Sequence, residues 1–231
     1  MSSMAPVVAI DGPGGAGKGT VAQQVARRLG WHLLDSGSLY RITAYAASQR
    51  GINLEASQAV ADVARNLDVA FAEADQGVRV LLGGIDVTDA IRSEEGGRAA
   101  SIVARDPAVR EALIDRQRAF ATSPGLVADG RDMGSVVFAD AGLKIFLTAS
   151  VAERARRRYK QLKDKGMDVS LPALSRDMEE RDRRDSERAV APLRATPDAR
   201  VLDSTDLGID DVIDTIMEWV AEVYPNANTA G

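Results

Sequence analysis

Val7-Val8-Ala9-Ile10-Asp11-Gly12-Pro13-Gly14-Gly15-Ala16-Gly17-Lys18-Gly19-Thr20 joins an unbroken apolar run to a glycine-rich loop, and its reading decides the fold. The run is predicted to be a buried strand that delivers the chain to a tight turn. In the loop, small residues let backbone N–H groups close around phosphate oxygens. A helix predicted to begin near Lys18 aims the positive end of its dipole at the same anion. Lys18 is placed to reach the β and γ phosphates as a point charge. Val21, Ala22, Val25, Ala26 and Leu29 then recur at helical spacing. Strand, loop and helix in that order separate this stretch from a glycine-rich surface loop. They imply a site for a nucleoside triphosphate built from Gly12, Pro13, Gly14, Gly15, Ala16, Gly17, Lys18, Gly19 and Thr20.

Four further apolar segments repeat the pattern: Leu33–Leu34, Leu126–Ala128, Lys144–Leu147 and Val201–Leu202. With the first strand they end at Asp11, Asp35, Asp129, Thr148 and Asp203. Continuous apolar strands alternating with helices predict an α/β fold with a central five-stranded parallel sheet covered on both faces. Ligands of such sheets bind beyond the carboxyl ends of the strands, where these polar endings lie. Residues 66–92 break the pattern. Leu67–Phe71, Val78–Leu82 and Ile85–Val87 read as short strands, with turn signals at Gln76-Gly77 and Gly83-Gly84, and predict an inserted antiparallel meander. Helical stretches at Ser57–Asn66 and Ala99–Ala121 flank it.

Bulk composition excludes several classes. The 231 residues are 45% hydrophobic and 27% charged, ordinary for a soluble globular protein. No apolar run is long enough to span a bilayer. Met1 to Pro6 lack the basic and apolar regions of a signal peptide, so a cytoplasmic location is expected. The residues after Tyr224 are expected to fray. With no cysteine, disulfides, thiolate metal sites and thiol nucleophiles are excluded, and the single histidine, His32, rules out a multi-histidine metal site. His32 is read as structural. The net charge of −5 argues against general nucleic-acid binding, yet seven basic residues fall between Arg154 and Lys165 and six arginines between Arg176 and Arg194. Beside a polyphosphate loop these two runs are read as clamps.

The loop departs from the common Gly-Lys-Ser/Thr ending, because Gly19 follows Lys18 and the hydroxyl comes at Thr20. The usual hydroxyl ligand to magnesium is missing, which tells against a GTPase or motor ATPase. The Gly-Lys-Gly-Thr ending instead matches nucleoside-monophosphate kinases. Asp35-Ser36-Gly37-Ser38-Leu39-Tyr40-Arg41, Asp129-Gly130-Arg131-Asp132-Met133-Gly134, and Arg181-Asp182-Arg183-Arg184-Asp185 with Ala189-Val190-Ala191-Pro192-Leu193 resemble bacterial cytidylate kinases. The resemblance runs from about Val7 to about Tyr224, and its motifs are specific in combination.

That resemblance implies transfer of a phosphoryl group from ATP to CMP and dCMP, with magnesium. It also implies a single kinase unit over residues 1–231. Its core is expected at about 5–40, 122–150 and 195–224, a monophosphate-binding insertion at about 41–121, and a helical lid with the arginine-rich region at about 151–194. Cytosine presents an amino donor beside ring acceptors, so its pocket needs an acceptor and donors. By resemblance Asp132 is the acceptor and Ser101 and Arg110 the donors; on residue chemistry alone Asp132 reads as a salt-bridged structural carboxylate. The monophosphate-binding set is Ser36, Tyr40, Arg41, Ser101, Arg110, Arg131, Asp132, Arg181, Asp185 and Arg188. Arg41 and Arg131 are expected just past the ends of two core strands, and Arg181, Arg184 and Arg188 on one helical face. Asp185 is expected to accept from the ribose, and Asp182 to be a salt-bridge partner. Lys18, Arg131, Arg154 and Arg158 are the expected catalytic cations; spacing leaves open which of Arg154, Arg157 and Arg158 contacts the transferred group. Thr20 and Asp129 are expected in the outer shell of magnesium, with no direct protein ligand. A monomer is expected. Two rivals stay open on the residues: a related kinase for shikimate or another monophosphate, and a nucleotide-switched binding protein.

Overall fold

The computed structural model describes residues 5–74, 77–188 and 190–227. Residues 1–4, Gln76 of the expected turn, Ala189 of the quoted motif and residues 228–231 lie outside the described residues. In chain order the elements are β1 (Val7–Asp11), α1 (Lys18–Leu29), β2 (His32–Asp35), α2 (Ser36–Gln49), α3 (Ser57–Arg65), β3 (Val69–Ala74), β4 (Gly77–Leu82), β5 (Ile85–Asp86), α4 (Thr88–Arg92), α5 (Glu94–Val103), α6 (Pro107–Arg118), β6 (Leu126–Gly130), a π-helical turn (Met133–Val137), β7 (Leu143–Thr148), α7 (Val151–Asp164), α8 (Leu171–Ser186), β8 (Arg200–Asp203) and α9 (Ile209–Val223). The chain divides into two units, Met1–Asp35 with Arg118–Gly231, and Ser36–Gln117.

In the first unit, five strands pair in the order β2-β6-β1-β7-β8, each neighbouring pair parallel. All five predicted strands are present. β1 lies at the centre and is buried along its whole length, as its unbroken apolar run requires. The register sets Asp35 opposite Asp129, Asp11 opposite Gly130, and Thr148 opposite Asp203. The predicted polar endings therefore share one edge of the sheet. Val8, Ile10, Val127 and Ile145 pack with Val21, Val25 and Leu29 of α1 and with Ile213, Ile216 and Val220 of α9. Gly30 closes α1 in the left-handed conformation, donating its N–H to the carbonyls of Ala26 and Arg27. At the opposite end of the sheet, Tyr224 donates its hydroxyl to the carbonyl of Val7 at 2.8 Å and meets the Trp31 ring edge-on at 5.6 Å. His32 bonds the carbonyl of Ser123 at 3.0 Å, a structural role. No helix among the described residues is long and apolar enough to cross a membrane.

The second unit holds the predicted meander, β3-β4-β5, with antiparallel pairing throughout. Its strands are shifted from the expected ones. The first starts at Val69 rather than Leu67, and the third keeps only Ile85 and Asp86. The stretch expected to be helical over Ala99–Ala121 is two helices. Asp106 interrupts it by accepting the N–H groups of Ala108 and Val109, and Pro107 opens α6, a cap-and-proline start.

Gly125 sits where a Cβ would lie 2.4 Å from the Trp31 ring. In contrast, Gly97, inside α5, faces nothing within 4 Å. Gly125→Ala is expected to lower stability by about 1–3 kcal/mol through overpacking. Gly97→Ala should raise it by about 0.5–1 kcal/mol, as an alanine in a helix does. Denaturant melts of both variants check this; equal effects would contradict the packing at Trp31.

Candidate active site

The loop leaves β1 through Gly12, where a Cβ would come 1.9 Å from the carbonyl oxygen of Leu147, so only glycine fits. Gly17 then takes a left-handed φ of 93° as the residue capping α1, and no side chain caps that helix start. Its first N–H groups are thus left to an anion. Lys18 is 6% exposed, donates to the carbonyl of Pro13 at 2.9 Å and lies 4.0 Å from Asp129 Oδ1. Burial first, and then the Arg131 charge, pull the Lys18 pKa down to about 7; Asp129 opposes them.

Arg131 follows β6 directly. Its Nε donates to Asp185 Oδ2 at 3.0 Å, and Arg188 approaches the other Asp185 oxygen at 3.1 Å. Burial works to raise the Asp185 carboxyl, but Arg131, Arg188 and Arg181 together hold it below the usual carboxylate range. A Cβ built at Gly14 would lie 3.4 Å from an Arg181 guanidinium nitrogen and 3.5 Å from one of Arg131. The arginines of α8 and of the β6 end therefore converge on the phosphate loop beside Lys18. One expectation needs correction. Arg188 does not share a helical face with Arg181 and Arg184, because α8 ends at Ser186; it reaches Asp185 from beyond the helix end.

Asp132 is 2% exposed and precedes the π-helical turn without making a side-chain cap to it. The N–H groups of Met133 and Gly134 are instead taken by the two oxygens of Asp11, each at 2.8 Å. Burial pushes the Asp11 carboxyl up to about 6, against those two hydrogen bonds. The sequence reading placed Asp11 only as a strand ending. Neither its reach of more than a hundred residues nor the π turn has a local sequence signal.

On α7, Ser150 caps the helix by accepting the Glu153 N–H. Arg154 is 3% exposed and is held by protein groups, donating to the carbonyls of Ala149 and Gly14 and pairing with Asp182. Asp182 is thus the expected salt-bridge partner. Arg157 pairs with Glu153 and donates to the carbonyl and hydroxyl of Ser204, while Arg158 donates to Gln161 one turn along. A Cβ at Gly19 would lie 3.5 Å from Asp129 Oδ2, so a carboxylate oxygen stands close to where other phosphate loops carry a hydroxyl. Thr20 is exposed. One carboxylate and one hydroxyl suit a divalent cation that arrives on a polyphosphate; among the described residues no group of three acidic or histidine side chains could hold one.

Within the second unit, Ser36 is buried at the start of α2, and Arg110 stacks over the Tyr40 ring with its guanidinium carbon 5.9 Å from the centroid. Arg110 also donates to the carbonyl of Ala104. The Ser101 hydroxyl turns back onto the Gly97 carbonyl. Arg41 does not sit just past its strand. It lies in the second turn of α2, because the helix begins directly at Ser36.

The sequence matches the family described as cytidylate kinase over residues 8–222. It is 59% identical over 219 residues to a cytidylate kinase of Pseudomonas paraeruginosa, covering 94% of this chain and 96% of that one. It is 54% identical over 230 residues to a cytidylate kinase of Aeromonas salmonicida, with both chains covered in full. Among solved structures, an uncharacterised protein from Eubacterium ventriosum superposes with a TM-score of 0.50 at 13% identity, covering 93% of this chain and 98% of that one, a likeness of fold alone. A phosphate loop ending in Gly-Lys-Gly-Thr, arginines gathered onto it and a family match over nearly the whole length lead to one conclusion: the chain belongs to the cytidylate kinase family.

Proposed function

We propose that the chain transfers the γ-phosphoryl group of ATP to CMP and dCMP, giving ADP and CDP or dCDP. The observation that carries the reading is the approach of Arg131 and Arg181 to Gly14 in the loop whose Pro13 carbonyl holds Lys18. Cations from the donor loop and from the arginine-rich segment surround one place where a phosphoryl group can pass. A monophosphate oxygen is already anionic near neutral pH, so the acceptor needs no strong general base. That oxygen attacks the γ phosphorus as the bond to the β–γ bridging oxygen breaks. Catalysis then rests on positioning and on neutralising charge, the work of Lys18, Arg131, Arg154 and Arg158. Magnesium, when bound with ATP, neutralises phosphate charge, and Asp129 and Thr20 are the residues of this chain that would hold its outer shell. Residues 151–194 act as a lid that excludes water and so suppresses hydrolysis.

Asp132 accepts from the cytosine amino group, with Ser101 and Arg110 as donors to the ring. Ser36, Tyr40, Arg41, Arg131, Arg181, Asp185 and Arg188 hold the phosphate and ribose. Uracil presents a carbonyl where cytosine has its amine, which would set two buried acceptors face to face. The burial of Asp132 supports this role, since a solvated carboxylate discriminates little.

Two outcomes test the reading. Asp132→Ala should lower the preference for CMP over UMP by at least about tenfold, the cost of one unsatisfied buried polar group, with KM for ATP little changed. An unchanged ratio would remove Asp132 from the pocket. At pH 8 Lys18 is mostly neutral in the unliganded chain, because its pKa is lowered to about 7. Triphosphate beside it restores the charged form, so ATP binding should take up most of one proton. Calorimetry in buffers of different ionisation enthalpy measures that uptake. Lys18→Ala should abolish it and lower kcat about a hundredfold or more; uptake that survives the substitution would contradict the assignment.

A further inference from the structure

Asp11 has no assigned part in the chemistry above, yet it is a buried carboxylate, 7% exposed, whose hydrogen bonds go to another segment and whose charge is also felt by Lys18. It ends β1 one residue before the phosphate loop and lies opposite Gly130 in the sheet. Both its oxygens accept backbone N–H groups, from Met133 and Gly134, at 2.8 Å. These are the first two donors of the π-helical turn; of them the Gly134 N–H is one that an aspartate in the position of Asp132 would ordinarily cap from its own side chain, and the Met133 N–H lies too early for such a cap. Asp132 makes no such cap. Its carbonyl accepts the N–H groups of Val136 and Val137, which fixes its backbone at the turn's start. The first two N–H groups of the turn are therefore capped from a neighbouring strand.

We propose that Asp11 is a positioning residue for monophosphate recognition, capping the Met133–Val137 turn in place of Asp132 and so fixing the Arg131-Asp132 segment that meets the acceptor. The inference rests on the acceptor reading given above. It explains why the residue must be a carboxylate. Both oxygens are acceptors, whereas an asparagine of the same shape would turn an NH2 group toward one of the two N–H donors. A buried donor then loses its partner and the turn shifts. π-helical turns of this kind recur at functional sites. A residue acting through such a turn alters binding geometry without touching the reacting atoms.

The test is steady-state kinetics on the full chain carrying Asp11→Asn, beside Asp132→Asn and the double variant. Asp11→Asn should raise KM for CMP about tenfold and leave KM for ATP within about threefold. It should also lower the CMP to UMP ratio. In the double variant the effects on that ratio should fall short of additive, since Asp11 acts through Asp132. Equal rises in both KM values, or an unchanged KM for CMP, would overturn the inference. If Asp132→Asn alone leaves the ratio intact, the cytosine reading fails. The split in KM still decides the role of Asp11, because Arg131 lies on the same segment. Should Asp11→Asn fold poorly, hydrogen exchange in the unsubstituted protein replaces it. The Met133 and Gly134 amides should be protected, and further protected by CMP but not by ADP; exchange at the rate of an open loop would overturn the inference.

Discussion

The structure depends on the burial of Lys18 among charges of its own sign. Its ammonium donates to the Pro13 carbonyl, with Asp129 at 4.0 Å as the counter-charge in an ion pair, while the charges of Arg131 and Arg181 act against its protonated form. Holding Lys18 charged beside other cations is costly in the unliganded chain, which is what lowers its pKa. A polyphosphate supplies the negative charge the cluster lacks. The loop is thus poised for its ligand by an electrostatic debt rather than by shape alone.

The fold exists to hold that cluster. A parallel sheet with the phosphate-loop strand at its centre brings the ends of β1, β2 and β6 to one edge. From there Asp11 reaches one way to the π turn, and Arg131 reaches another way to Asp185 on α8. Asp185 in turn gathers Arg131 and Arg188 and keeps mutually repelling guanidinium groups in place. Arg154 ties the Gly14 carbonyl to Asp182 of the same helix. Asp185 with Arg131 and Asp182 with Arg154 are pairs across the chain, so the arginine-rich segment is anchored to the loop it serves.

Much of this was legible in the sequence. Val7–Ile10 and the four later apolar segments gave the sheet, because strands buried on both faces need unbroken apolar runs. Glycines and Lys18 at fixed spacing gave the loop. What was not legible lay in long-range pairing. Nothing near Asp11 signals that it caps residues 133 and 134, and nothing near Arg154 signals its hold on Gly14. The split at Asp106-Pro107 did carry a local signal, an aspartate cap before a proline, that helical periodicity masked. Spacing alone sets Arg188 on a helical face with Arg181 and Arg184, because it does not reveal where a charged helix such as α8 stops. Ser101 and Arg110 of the second unit sit on α5 and α6 with no motif of their own, and only family resemblance singles them out.

On this reading one cation cluster serves a triphosphate donor and a cytidine monophosphate acceptor. The most direct measurement is phosphoryl transfer from magnesium ATP to CMP, dCMP, UMP, AMP, GMP and shikimate, with an acceptor-free control. The account predicts strong turnover with CMP and dCMP, weak turnover with the others and little hydrolysis alone. Dominant transfer to a different acceptor, or ATP hydrolysis indifferent to acceptor, would contradict it.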